Sequence, residues 1–133
     1  MLPHPISVLL VDDDDQCRKF CCAMLIKNGF AVFDADNGME ALLIAGQHAF
    51  AIDLLVTDVR MPGISGADLG RALKAALPRL RVLYISGSSA EVVSGCLGAG
   101  CDFLPKPFSP DALFSAIGRL FDESSDSRSF VAA

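Results

Sequence analysis

Five short runs, Ile6 to Val11, Phe30 to Asp34, Asp53 to Thr57, Arg81 to Ile85 and Cys101 to Leu104, are rich in β-branched residues and nearly apolar throughout. Strands that do not alternate are buried on both faces, which requires a parallel sheet covered by helices on each side. Helical patterns separate the runs. The first places Cys17, Phe20, Cys21, Met24 and Leu25 on one face, follows Asp14 and Asp15 as cap and first-turn acids, and stops at Asn28-Gly29. The second opens at Asn37 with Glu40 three residues later, the reciprocal capping arrangement, and turns Ala41, Leu42 and Ala45 inward. The third opens at Ser65 with Asp68, carries a stripe of Leu69, Ala72, Leu73 and Ala76, and ends before Pro78. The fourth, about Ser88 to Leu97, is short, contains Gly95 and is followed by Gly98 and Gly100. An interior Gly costs about 1 kcal/mol relative to Ala, so tertiary contacts must hold this helix and it is expected to be mobile. The fifth begins at Ser109-Pro110, cap and first helical position, with Leu113, Ile117, Leu120 and Phe121 on one face. Strict alternation of strand and helix predicts an α/β fold, a doubly wound five-stranded parallel sheet with right-handed crossovers.

A chain of 133 residues is the size of one domain, here residues 1–121, with 122–133, rich in Ser and Asp, expected to be a disordered polar tail. A second folded module, such as a DNA-reading domain, does not fit. Met1 and the polar tail argue for a complete protein. With 11 Lys or Arg against 16 Asp or Glu the net charge is −5, which argues against phosphate-backbone binding, so no nucleic-acid partner is expected. No apolar run approaches the ~18 residues of a membrane span. The 5 cysteines are an odd number, and the start has no basic segment followed by an apolar one. A cytoplasmic protein with free thiols and no membrane association is expected.

Functional groups of open parallel sheets gather at the carboxyl ends of the strands. The first run ends in Asp12-Asp13-Asp14-Asp15, the third in Asp58, the fourth in Ser86-Gly87-Ser88-Ser89 and the fifth in Pro105-Lys106-Pro107. Like charges 4 Å apart repel by about 4 kcal/mol at an effective dielectric near 20, so such a cluster needs a cation or must protonate. Oxygen-only ligands favour a hard ion, and Mg²⁺ fits best because it takes one or two carboxylates and fills its octahedron with water and phosphate oxygens. Carboxylates holding a metal beside a Lys and a Ser are equipment for handling a phosphoryl group, one carboxylate being the nucleophile.

The segments VLLVDDDD, DLLVTDVRMPGISG, VLYISG and GCDFLPKPF, in this order and at these spacings, resemble the receiver domain of two-component response regulators, the family of the chemotaxis response regulator, over roughly residues 6 to 121. The resemblance implies the flavodoxin-like strand order 2-1-3-4-5. By matching motif, Asp58 looks like the phosphoacceptor, Asp13 like the direct Mg²⁺ ligand, Asp12 like a ligand through water or a shared position, and the Arg60 backbone carbonyl like the remaining protein oxygen. Ser86 matches the hydroxyl residue that grips the phosphoryl oxygen, Lys106 the Lys before Pro, with a cis Lys106–Pro107 peptide implied, and Phe103 the aromatic switch position. Phe103 stands in place of the commoner Tyr, and Gly87 in place of the usual Ala. The wording around MPGISG and YISGSS is similar to receivers attached to hybrid histidine kinases.

Other residues read more simply as structure. Asp14 and Asp15 are helix-start acids, Asp34 and Asp36 strand-exit and turn residues, and Cys17, Cys21 and Cys22 core packing without a CxxC partner. His4 and His48 stand at no strand carboxyl end. The favoured function is a phosphorylation-controlled switch: Asp58 accepts phosphate from a phosphohistidine on a sensor histidine kinase or phosphotransfer protein. The face of the fourth helix, fifth strand and fifth helix then changes for an unidentified downstream protein. Such a domain is no enzyme beyond catalysing its own phosphoryl transfer and dephosphorylation. Alternatives are a phosphorylation-independent interaction module and an Asp-nucleophile phosphatase. The phosphatase wants a second Asp two residues after the nucleophile, where Arg60 stands, and flavodoxin-like cofactor binding is opposed by four acids where a phosphate loop would be.

Overall fold

The computed structural model describes residues 5–49, 51–87 and 100–124. Its elements are β1 (Ser7–Val11), α1 (Asp15–Lys27), β2 (Ala31–Ala35), α2 (Gly38–His48), β3 (Leu54–Asp58), α3 (Gly66–Ala76), β4 (Arg81–Ser86), β5 (Cys101–Pro105) and α4 (Pro110–Ser124). The strands form one parallel sheet in the order β2-β1-β3-β4-β5. The expected helix at about Ser88 to Leu97 lies outside the described residues, as do His4, Cys96 and the segment 125–133. The last helix runs to Ser124, three residues past the expected domain end at Phe121.

Period-two geometry divides each apolar run between two cores. Leu9 and Val11 of β1 join Leu55, Val82 and Tyr84 beneath α2 and α3. Val8 and Leu10 join Val56, Leu83 and Ile85 beneath α1 and α4. Capping sets where the helices start. Asp14 accepts from the N–H groups of Gln16 and Cys17, Asn37 from that of Glu40, and Ser65 from that of Asp68. The Glu40 carboxylate reaches back one residue further than a reciprocal cap would, accepting from the N–H of Asp36 at 3.0 Å.

Three expected packing positions are corrected. Phe20 is 55% exposed, because the buried stripe of α1 is centred on Cys21 and Leu25. Ala72 and Ala76 face solvent. The buried face of α3 is Gly66, Leu69, Gly70 and Leu73, since the helix lies so close to the sheet that two glycines stand at the contact. A Cβ on Gly66 would lie 1.8 Å from the carbonyl oxygen of Asp58, and one on Gly70 would lie 2.0 Å from the hydroxyl of Tyr84.

Candidate functional site

The sheet reverses its winding between β1 and β3, and the chain leaves both strands at the same edge of that crevice. Asp12 and Asp13 follow β1 directly, and Asp58 is the last residue of β3. One carboxylate oxygen from each of Asp12, Asp13 and Asp58 lies within 4.8 Å of the others. Asp12 is buried and fully engaged. Its N–H donates to the carbonyl of Ala35 at 3.2 Å, its Oδ1 accepts from the N–H of Asp14 at 2.9 Å, and its Oδ2 is 3.5 Å from Lys106 Nζ. Asp13 is exposed at the mouth of the crevice.

Lys106 comes from the end of β5 and brings its ammonium to 3.2 Å from Asp58 Oδ2. The peptide that follows it, to Pro107, is cis. Burial pushes the Asp58 carboxyl above the usual carboxylate range; Lys106 opposes this, and the charges of Asp12 and Asp13 reinforce it. Burial would lower the Lys106 ammonium, yet Asp12 and Asp58 outweigh it and hold the group above its ordinary value. The cluster is therefore short of positive charge even with Lys106 in place, the condition a bound cation relieves. Three acids within 4.8 Å form an all-oxygen donor set suited to a hard divalent ion.

Ser86 ends β4, is 1% exposed, and its carbonyl accepts from the Lys106 N–H at 2.7 Å. Phe103 pairs in register with Tyr84 and packs, half-buried, on the α2 and α3 side. Arg60 stands exposed two residues beyond Asp58. The connection from β3 to α3 is folded tightly back, with the Gly66 N–H donating to the Val59 carbonyl at 2.8 Å. Asp34, at the end of β2, takes no part in the acid cluster. His48 stacks on Phe33 at 4.5 Å.

Two residues of α1 belong to this neighbourhood although their sequence positions gave no such sign. The Cys17 thiol is hydrogen-bonded to Asp12, and its pKa is pushed up to about 12 by burial first and then by that bond and the Asp12 charge. It stays a protonated donor at neutral pH. Arg18 donates to the Asp12 carbonyl at 2.8 Å, to Asp15 Oδ1 at 2.6 Å and to Asp34 Oδ2 at 3.2 Å. The Asp15 contact is an i,i+3 pair visible in the sequence, the Asp12 contact arises where α1 turns back against the end of β1, and the Asp34 contact exists only because β2 lies beside β1. Beside Lys106, an open hollow of about 390 Å³ is lined by Cys17, Phe20, Pro107 and Phe108.

The response regulator receiver domain family matches residues 8–118. The chain is 33% identical over 119 residues to the sensor kinase CckA of Brucella abortus, covering 88% of this chain and 13% of that protein. It is 35% identical over 124 residues to the response regulator MprA of a Mycobacterium species, covering 91% of this chain and 53% of that protein. The chain thus spans about half the length, or less, of these curated relatives. Among solved structures, the receiver domain of the hybrid histidine kinase CckA superposes with a TM-score of 0.74 at 35% identity, covering 86% of this chain and 97% of that one. The chemotaxis protein CheY4 of Vibrio cholerae gives 0.78 at 26% identity, covering 87% and 98%. With its parallel sheet in the order 2-1-3-4-5 and a family match over most of its length, the chain belongs to the response regulator receiver domain family.

Proposed function

We propose that this receiver domain is a phosphorylation-controlled signalling switch in which Asp58 is the phosphoacceptor, supplied by a phosphohistidine on a sensor histidine kinase or phosphotransfer protein. The observation that carries the reading is the joint placement of Asp12, Asp13 and Asp58 within 4.8 Å, with Lys106 3.2 Å from Asp58. Asp12, Asp13, Asp58 and the backbone carbonyl of Arg60 would hold Mg²⁺. When bound, the ion neutralises charge on the carboxylates and on the phosphoryl oxygens.

An Asp58 oxygen attacks phosphorus, an acyl phosphate bond forms, the P–N bond breaks, and its electron pair returns to the imidazole nitrogen. Lys106 then pairs with a phosphoryl oxygen and Ser86 donates its hydroxyl to another. The domain's catalysis is confined to itself, in this transfer and in the later hydrolysis of its own acyl phosphate. The apolar hollow beside Lys106 offers the donor protein a surface next to the acceptor. Movement of Ser86 toward the phosphoryl group frees space for Phe103 to turn inward, which changes an output face whose described part is β5 and α4. The reading needs no nucleic acid and no membrane. The reading sets the domain in the cytoplasm; no described helix is long and apolar enough to cross a membrane, and Cys17, Cys21 and Cys22 carry free thiols.

The test is intact mass after incubation with acetyl phosphate and Mg²⁺. Wild type should gain one phosphoryl group, and Asp58→Asn should gain none while keeping the fold. An adduct of equal abundance on the Asn variant would overturn the assignment.

A further inference from the structure

Arg18 has an exposure pattern that a surface ion pair does not. Its side chain is 12% exposed, while its two carboxylate partners, Asp34 and Asp15, are 50% and 69% exposed. The guanidinium is thus drawn inward, to the carbonyl of Asp12 at 2.8 Å. That carbonyl belongs to the peptide unit joining Asp12 to Asp13, and a peptide unit is rigid and planar. The preceding unit is held as well, by the Asp12 N–H on the Ala35 carbonyl at 3.2 Å. The backbone of Asp12 is therefore held on both sides, by the Arg18 side chain and by the Ala35 carbonyl.

From this we infer that Arg18 is a positioning residue for the acid pair: it fixes the Asp12–Asp13 peptide and with it the direction in which the exposed Asp13 offers its carboxylate to a divalent cation. The inference rests on reading the acid cluster as a Mg²⁺ site. Arg suits the task because its planar fork can hold a carbonyl and two carboxylates at once, whereas Lys is a point donor on a flexible stem. Asp15 and Asp34 also neutralise the guanidinium, so a cation can stand near a cation site.

Charge and positioning predict opposite signs. If Arg18 acted by charge alone, its removal would tighten Mg²⁺ by relieving repulsion. If it positions the pair, removal weakens Mg²⁺ although a positive charge has gone. Mg²⁺ is titrated into the full chain well below the unfolding midpoint, with the amide shift of Asp13 followed in wild type, Arg18→Gln, Arg18→Lys and, as a charge control on the exposed side of the same helix, Lys19→Ala. Arg18→Gln should raise the Mg²⁺ dissociation constant about 5- to 20-fold, Arg18→Lys should recover part of the loss, and Lys19→Ala should leave it unchanged or slightly tighter. A folded Arg18→Gln protein that binds Mg²⁺ as tightly as wild type, or more tightly, overturns the inference. Should Arg18→Gln not fold, Arg18→Lys decides, with weakening of about threefold expected and an unchanged constant overturning the role. A wild type without saturable Mg²⁺ response overturns both readings, that of the acid cluster first.

Discussion

Lys106 and Asp58 stand 48 positions apart in the chain and meet with Nζ 3.2 Å from Oδ2. The strands that carry them are not neighbours, since β4 lies between β3 and β5. The lysine therefore reaches past the carboxyl end of β4, where Ser86 stands, to join a cluster whose acids come from β1 and β3. Charge balance in the crevice depends on that reach.

The raised Asp58 pKa makes ionisation of this group a load on the folded state. A carboxyl whose folded pKa lies above its unfolded value binds its proton more tightly when folded. The stabilisation it gives is fully present below the unfolded pKa and is lost as pH rises through the folded pKa. Asp58→Asn should accordingly raise the melting temperature at pH 7 without Mg²⁺, by about 3 °C for each kcal/mol relieved. The gain should shrink as pH falls through the Asp58 range and shrink again when Mg²⁺ is added to both proteins. Scanning calorimetry at several pH values checks this; a variant less stable than wild type at pH 7 would contradict the direction of the shift.

Lys106 competes with a metal for the same oxygens, being 3.2 Å from Asp58 Oδ2 and 3.5 Å from Asp12 Oδ2. Lys106→Ala should tighten Mg²⁺ by about fivefold, the equivalent of ~1 kcal/mol of solvent-screened repulsion at contact distance. In the amide-shift Mg²⁺ titration described above, applied to this variant and to the acids, Asp13→Asn should weaken binding most, Asp12→Asn less, and Asp14→Asn and Asp15→Asn little. The last two acids are occupied as helix cap and first-turn residue. Binding weaker in the Asp15 variant than in the Asp13 variant would place the metal two residues further along the chain.

Close approach at α3 separates two glycines that look alike in sequence. A Cβ at Gly66 meets the Asp58 carbonyl, backbone that cannot yield, whereas a Cβ at Gly70 meets the end of the Tyr84 side chain. Both Gly→Ala variants should lose roughly 1–3 kcal/mol in urea denaturation, the usual penalty of overpacking. Adding Tyr84→Phe should restore part of the loss at Gly70 and none at Gly66. Equal rescue at both positions would show that the two contacts are not distinct.

Coupling from Asp58 to Phe103 needs more than one contact. Shifting a two-state mixture from 1:99 to 99:1 takes about 5.5 kcal/mol, whereas a Ser hydroxyl bonded to a charged oxygen supplies roughly 1.5–3 kcal/mol. Lys106 must contribute the rest. Ring signals of Phe103 should shift when beryllofluoride, a phosphoryl mimic, is added to wild type, shift less in Ser86→Ala, and least in Lys106→Ala. A ring that responds alike in all three proteins would move the output route elsewhere.

The alternation of apolar runs with capped helical patterns was sufficient for the parallel sheet, because burial on both faces leaves few other ways to satisfy strands such as Ile6 to Val11 and Asp53 to Thr57. Cap positions were legible for a similar reason: Asp14, Asn37 and Ser65 act within three residues of themselves, and local hydrogen bonding is written in local sequence. The strand order came from resemblance to a family, since the residues alone predict a parallel sheet but not which strands lie side by side. Fine packing was not legible. Ala72 and Ala76 satisfy helical periodicity as well as Gly66 and Gly70 do, and only the distance between α3 and the sheet decides that the glycines face inward. Arg18 shows the same limit in the site: a helix-start arginine with one visible partner, Asp15, gains the Asp12 carbonyl when α1 turns back against the end of β1, and gains Asp34 only when β2 is laid beside β1. Contacts within a few residues are properties of the sequence, whereas contacts between strands and layers are decided by tertiary structure, because the chain distance between their partners carries no record of the space between them.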